Sequence, residues 1–313
     1  MVAAGHPQSD GLSRAGAGDR VVADAARPLV RGAGHRPHAG QSRFLRAGRP
    51  THGRGCVREM DRRCEGSRET GSPEPARTMI SVAAVGSASD AAGYYARDNY
   101  YTADQAEGAS AWAGEGAAEL GLSGPVDADQ FEKVLAGELP NGVVLDAKRG
   151  EHRAGWDITM SVPKSVSILA LVGGDHRLVA AVREAAAATL VWAERNIAEG
   201  RVVNSKHQAP ETTGRFVAAT FLHDVNRSGE PQLHVHNVIA NATRTADGTW
   251  RALHSDQLYH RQHVMDAVFL SALRSRVETL GYVAIFRHDL RNGAFEIAGV
   301  SREVVEAFSV RSA

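Results

Sequence analysis

The chain has 313 residues, 43% of them hydrophobic and 23% charged, with a formal net charge of zero. That length exceeds a minimal domain, and no apolar run approaches the ~20 residues needed to cross a bilayer. The N-terminus lacks the basic-then-apolar order of a secretory signal, so the chain reads as cytoplasmic. Its two cysteines, Cys56 and Cys64, have no zinc-ligand spacing and read as free thiols.

The zero balance hides an asymmetry. Residues 1–78 hold 14 Arg, no Lys and 8 acids, which leaves 22 basic and 28 acidic residues from position 79 onward. The first 78 residues are rich in Gly, Arg, Pro, Ser and His, with Phe44 as their single aromatic. Such a composition cannot bury enough apolar surface to offset chain entropy. It is either a disordered basic arm or a mis-assigned extension upstream of a true start at Met79. The abrupt change of texture at MISVAAVGS favours the second. The body from 79 to 313 is acidic by count, so any basic nucleic-acid surface on it must be local.

From Met79 the elements follow in order. ISVAAVG reads as a short strand. A helical stretch, SDAAGYYARDNYY, starts at Ser89, and Asp127 caps a helix, DADQFEKVLAGEL, that ends near Gly137 and Pro140. WDITMSV is strand-like and stops at Pro163, the apolar run SVSILALVG follows, and His176 to Ala198 have the spacing of a long amphipathic helix. GRFVAATFLHDV and PQLHVHNVIANAT are strand-like, joined by NRSGEP; a last helix spans about Ser255 to Leu280; a small β-pair flanks Arg291-Asn292-Gly293. Hairpins mixed with helices predict an α+β fold: a central antiparallel sheet with helices packed on one face.

Side chains alternate faces along a strand. In QLHVHNVIA, His234 and His236 therefore point one way and Leu233, Val235 and Ile239 the other. The loop with Asn226, Ser228, Gly229 and Pro231 suits a turn, and a hairpin through it brings His223 opposite the HVH pair. An HxH alone is a weak signal; a third histidine on the adjoining strand makes a three-imidazole site for a catalytic divalent metal, Mg, Mn or Zn.

Four of the six tyrosines, Tyr94, Tyr95, Tyr100 and Tyr101, fall within eight residues. Helical neighbours diverge by about 100°, so one Tyr of each pair can be buried while the other faces a cleft. A phenol is a nucleophile toward phosphate when its proton is removed, and a metal neutralises the charge that develops. In WDITMSVPKSVS, Asp157 shares a face with Thr159 and Ser161, where it can orient a metal-ligating histidine or accept the tyrosine proton. Lys164 and Ser165 follow as candidate DNA phosphate contacts.

These motifs together resemble the relaxase domain of conjugative relaxases of the TrwC/TraI (MobF) type, in the HUH endonuclease superfamily. YY…YY, DITMSVPKSVS and HDVNRSGEPQLHVH occur in the family's order, and WAGEGAAELGLSG and WRALHSDQLY are familiar segments; the likeness covers about Met79 to Ser309. The resemblance implies an HUH-type sheet with the histidine strands at its centre. It further implies that Tyr94 attacks the scissile phosphate of single-stranded DNA at a transfer origin, leaving a 5′-phosphotyrosine and a free 3′-OH. Tyr100 or Tyr101 would then be the second nucleophile. His223, His234 and His236 would hold the metal, and Asp157 would orient a ligand or act as base. A conjugative coupling protein and a type IV secretion machinery are the partners this suggests. Family members continue into a helicase, and no GxxxxGK[ST] pattern occurs in this sequence, so the relaxase domain is expected to be C-terminally truncated. The competing readings are a non-catalytic DNA-binding remnant and a rolling-circle replication initiator.

Overall fold

The computed structural model describes residues 78–95, 109–145, 152–204, 207–287 and 293–309. The chain opens with β1 (Ile80–Val85), α1 (Ala88–Tyr95), β2 (Ser110–Ala113), α2 (Glu115–Glu119) and α3 (Ala128–Leu135). It continues with β3 (Gly155–Ser161), α4 (Lys164–Ser167), which widens into a π-type turn at Ile168–Val172, and α5 (His176–Ile197). Then come β4 (Glu199–Asn204), β5 (His207–Thr212), β6 (Ala218–Val225), β7 (Pro231–Ala240), β8 (Thr243–Arg244) and β9 (Trp250–Arg251). The last described elements are α6 (Asp256–His260), α7 (Gln262–Thr279), β10 (Ala284–Phe286), β11 (Phe295–Ile297) and α8 (Arg302–Ala307).

Five strands form the central sheet in the order β1-β3-β7-β6-β2, with every neighbouring pair antiparallel. The hairpin β6–β7 and its neighbour β3 therefore occupy the middle. Pairs β4–β5, β8–β9 and β10–β11 are separate two-stranded ribbons. The cap expected from sequence is present, since the Asp127 carboxylate accepts the Gln130 amide at the start of α3; the structure adds a second, the Asp175 carboxylate accepting the Arg177 amide at the start of α5.

Strand alternation puts Trp156, Ile158 and Met160 on the same sheet face as Leu233, Val235 and Ile239. That face packs in one core with α5, through Leu178, Val182 and Leu190, and with α7, through Met265, Phe269 and Leu273. The expectation of helices on one face is corrected here, because the opposite face is also covered. Phe221, Val238 and Ala240 join Tyr95 of α1, Trp112 of β2, and Phe131, Val134 and Leu135 of α3 in a second core. The physical reason lies in the cross-strand rows of that face. Ala219 pairs with Val238 and Val238 with Asp157; Phe221 pairs with His236 and His236 with Thr159; His223 pairs with His234 and His234 with Ser161. One end of the face is apolar and needs a cover, while the other end carries the imidazoles.

Two further differences from the sequence reading stand out. The single helix expected over about 255–280 is two, α6 and α7, broken at Arg261. At the break, Gln262 Nε2 bonds the Ile80 carbonyl at 2.7 Å. The β4–β5 ribbon has no clean apolar alternation and contains Pro210, which is why it is not legible in the sequence.

Candidate active site

His223 and His234 are direct partners across the β6–β7 hairpin, and His236 lies two residues on, on the same face. The ligand atoms of the three lie within 4.8 Å of one another, with ring centroids 4.8 to 5.5 Å apart. His223 stands where the pairing register shifts between His223 and Val225, a bulge that ends the regular ladder.

Each ring is oriented by a neighbour. His236 Nδ1 donates to Asp157 Oδ2 at 2.7 Å, and His234 Nδ1 donates to the Gln232 carbonyl at 2.7 Å. Because both acceptors are oxygens, both Nδ1 atoms carry a proton, which leaves Nε2 of each ring as the atom that can turn to a metal. His223 makes a hydrogen bond to the backbone of Tyr95. Burial holds the His234 pKa down at about 4, and burial with the adjacent His236 lowers that of His223. Uncharged imidazoles are the form that ligates metal.

Asp157 is buried, at 8% exposure. Its Oδ2 accepts from three donors: His236 Nδ1 at 2.7 Å, the Tyr95 hydroxyl at 3.0 Å and the Thr159 hydroxyl at 3.1 Å. Its Oδ1 is buried and has no hydrogen-bond partner among the described residues. Thr159 Oγ1 also lies 3.1 Å from His236 Nδ1. The sequence put Thr159 on the face of Asp157 but gave it no role in the site. Its signal was available, since it shares the alternate face with Asp157 and stands opposite His236 once the strands are paired.

The tyrosines separate. Tyr95 ends α1 and is buried, its ring stacked on Phe221 at 5.2 Å between centroids and edge-on to Phe131 at 6.3 Å. Tyr94 occupies the position before it on the same helix, so both belong to the turn that reaches the histidines. Tyr100 and Tyr101 lie outside the described residues.

Lys164 and Ser165 are built into packing. Lys164 Nζ donates to the Pro231 carbonyl at 3.1 Å and lies 4.0 Å from Glu230, and burial lowers its pKa. Ser165 is fully buried; its amide donates to Glu296 Oε2 at 3.0 Å and its hydroxyl accepts from the Ile297 amide at 2.8 Å. These bonds tie α4 to β7 and β11.

The donor set fits a divalent transition metal. Three imidazole nitrogens converge, two of them with their ring orientation fixed from behind, and no thiolate stands beside them among the described residues.

The sequence pattern of the TrwC relaxase family matches residues 88–313. The multifunctional conjugation protein TraI of Escherichia coli (strain K12) is 39% identical over 249 residues, which cover 75% of this chain and 14% of that protein. Among solved structures, the metal-free conjugative relaxase TrwC in complex with oriT DNA is 37% identical, with a TM-score of 0.67 over 74% of this chain and 80% of that one. The metal-bound form of that complex is also 37% identical, with a TM-score of 0.68 over 74% of this chain and 80% of that one. TrwC bound to a 27-mer DNA comprising the recognition hairpin and the cleavage site is 36% identical, with a TM-score of 0.66 over 74% of this chain and 79% of that one.

Proposed function

Because the chain belongs to the TrwC relaxase family, we propose that it is a metal-dependent, site- and strand-specific DNA-nicking transesterase acting on single-stranded DNA at a conjugative transfer origin. Residues 79–313 form the relaxase domain in this reading. The observation that carries it is the meeting of the Tyr94–Tyr95 helix end with the three-histidine cluster, through the bond from His223 to the Tyr95 backbone. Solved relatives are complexes with oriT DNA, among them metal-bound and copper-bound forms, which supports both the substrate and the metal.

In the mechanism, His223, His234 and His236 would hold a divalent ion. When bound, the metal polarises the scissile phosphate and offsets charge as the bond changes partners. The Tyr94 oxygen forms a bond to phosphorus while the phosphorus–O3′ bond breaks. The tyrosine proton passes to Asp157, whose Oδ1 is the oxygen not already engaged by three donors. The departing 3′ oxygen takes a proton from solvent water and leaves as a hydroxyl, and Asp157 later returns its proton to solvent. The bond energy stays in the phosphotyrosine, so a 3′-OH can attack it, reform the phosphodiester and release Tyr94, while Tyr100 or Tyr101 is the candidate nucleophile for a second strand transfer. Such an enzyme works in the cytoplasm beside a coupling protein and a type IV secretion machinery. No helix among the described residues is long and apolar enough to cross a membrane.

The test incubates the full chain and Mn²⁺ with single-stranded oligonucleotides tiled across the DNA flanking its gene. A covalent adduct at one position supports the reading. DNA binding without any adduct would establish the non-catalytic remnant instead.

A further inference from the structure

We propose that Tyr95 is a positioning residue of the metal site, and that it orients two of the three histidines at once. The inference rests on the reading of His223, His234 and His236 as metal ligands. Tyr95 reaches the site from both of its ends. Its hydroxyl donates to Asp157 Oδ2 at 3.0 Å, and the same oxygen accepts His236 Nδ1 at 2.7 Å. Its backbone takes the hydrogen bond from His223.

The ring cannot serve as a mobile nucleophile. It is 8% exposed, stacked on Phe221, edge-on to Phe131 and 5.2 Å from the His236 ring centroid. Reaching a DNA phosphate would require it to leave this core. A buried phenol needs a partner for its hydroxyl, and Asp157 is that partner. With the Tyr95 and Thr159 hydroxyls both donating to Oδ2, the carboxylate has one orientation in which that oxygen faces His236. The Nδ1–H tautomer of His236 follows, and Nε2 is turned toward the other two rings. Partners of metal ligands are worth about 10–100-fold in metal affinity when removed. The two adjacent tyrosines thereby divide the labour: Tyr94 reacts, and Tyr95 holds the ligands in place.

The experiment measures Mn²⁺ affinity by calorimetry on the full chain, beside adduct formation with the active oligonucleotide at limiting and saturating Mn²⁺. Tyr95→Phe keeps the stacked ring and removes only the hydroxyl. It is expected to weaken Mn²⁺ binding about 10-fold, to reduce adduct at limiting metal and to restore it at saturating metal. Ring ¹⁵N spectra of His236 should change from one Nδ1–H tautomer to a mixture. Phe131→Leu disturbs the same aromatic cluster without touching a hydrogen bond and should leave Mn²⁺ affinity within about twofold, separating packing from positioning. Unchanged affinity in Tyr95→Phe would overturn the proposal, and so would loss of adduct that saturating Mn²⁺ does not restore. Should the unaltered chain form no adduct with any oligonucleotide, the nicking function fails, while the affinity comparison still decides the role of Tyr95.

Discussion

Asp157 and His236 sit on adjacent strands of the central sheet, offset by one cross-strand row, and their side chains meet at 2.7 Å. The offset matters because Asp157 pairs with Val238, so its carboxylate leans along the strand to reach the imidazole. Asp157→Ala removes the acceptor that fixes the His236 tautomer. It should lower Mn²⁺ affinity about 10–100-fold and depress adduct formation even at saturating metal, since the proposed proton acceptor goes with it. Titration calorimetry and the adduct assay check the two effects separately. Affinity equal to that of the unaltered chain would remove Asp157 from the site.

Much of this arrangement was legible before any coordinates. Alternation in QLHVHNVIA put His234 and His236 on one face, and the turn chemistry at Asn226 and Gly229 brought His223 opposite them. Alternation in WDITMS likewise put Asp157 and Thr159 together. What the one-dimensional pattern could not carry was the cover on that face. Phe221 and Val238 are close to the histidines, and only the pairing of β6 with β7 reveals an apolar patch that α1 and α3 must bury. The Tyr95–Asp157 bond spans 62 positions and depends on that cover. Lys164 and Ser165 looked like phosphate contacts because they follow a strand, but the turn after Pro163 directs Ser165 into β11.

Tyr94→Phe isolates the nucleophile. The substitution removes only a hydroxyl, so Mn²⁺ affinity should stay within about twofold of the unaltered chain while the covalent adduct disappears, a loss of at least about 1,000-fold for removal of an attacking group. Denaturing gels with labelled oligonucleotide read the adduct directly. Persistence of the adduct would move the attacking role to another tyrosine.

Asp266 anchors the start of the sheet. It is fully buried on α7, and its Oδ1 accepts the amides of both Met79 and Ile80 at 3.0 Å. Replacing it by alanine strands two donors and should cost about 2–4 kcal/mol, read by urea unfolding. The same contact bears on the proposed boundary at Met79. A chain comprising residues 79–313 should keep the melting temperature of the longer one, whereas a start at Val82 removes both amides from Asp266 and should fail to match it.

Glu194 offers a pH test away from the histidines. Its side chain is buried on α5, and a single oxygen, Oε1, accepts the amides of Glu115 and Phe216, each at 2.7 Å. Burial is the largest influence on it and raises its pKa. A carboxyl with a raised folded pKa binds more protons in the native than in the unfolded state between the two values. Its contribution is therefore full below the unfolded pKa and is lost as pH rises through the folded pKa. Glu194→Gln keeps an oxygen for both amides and removes the charge. The variant should match the unaltered protein in acid and exceed it in melting temperature at neutral and higher pH, with a flatter profile across that window. Thermal melts from pH 4 to 8 on both proteins make the comparison, and a variant less stable at neutral pH would show that the ionised carboxylate, not its neutral oxygen, is what those two amides require.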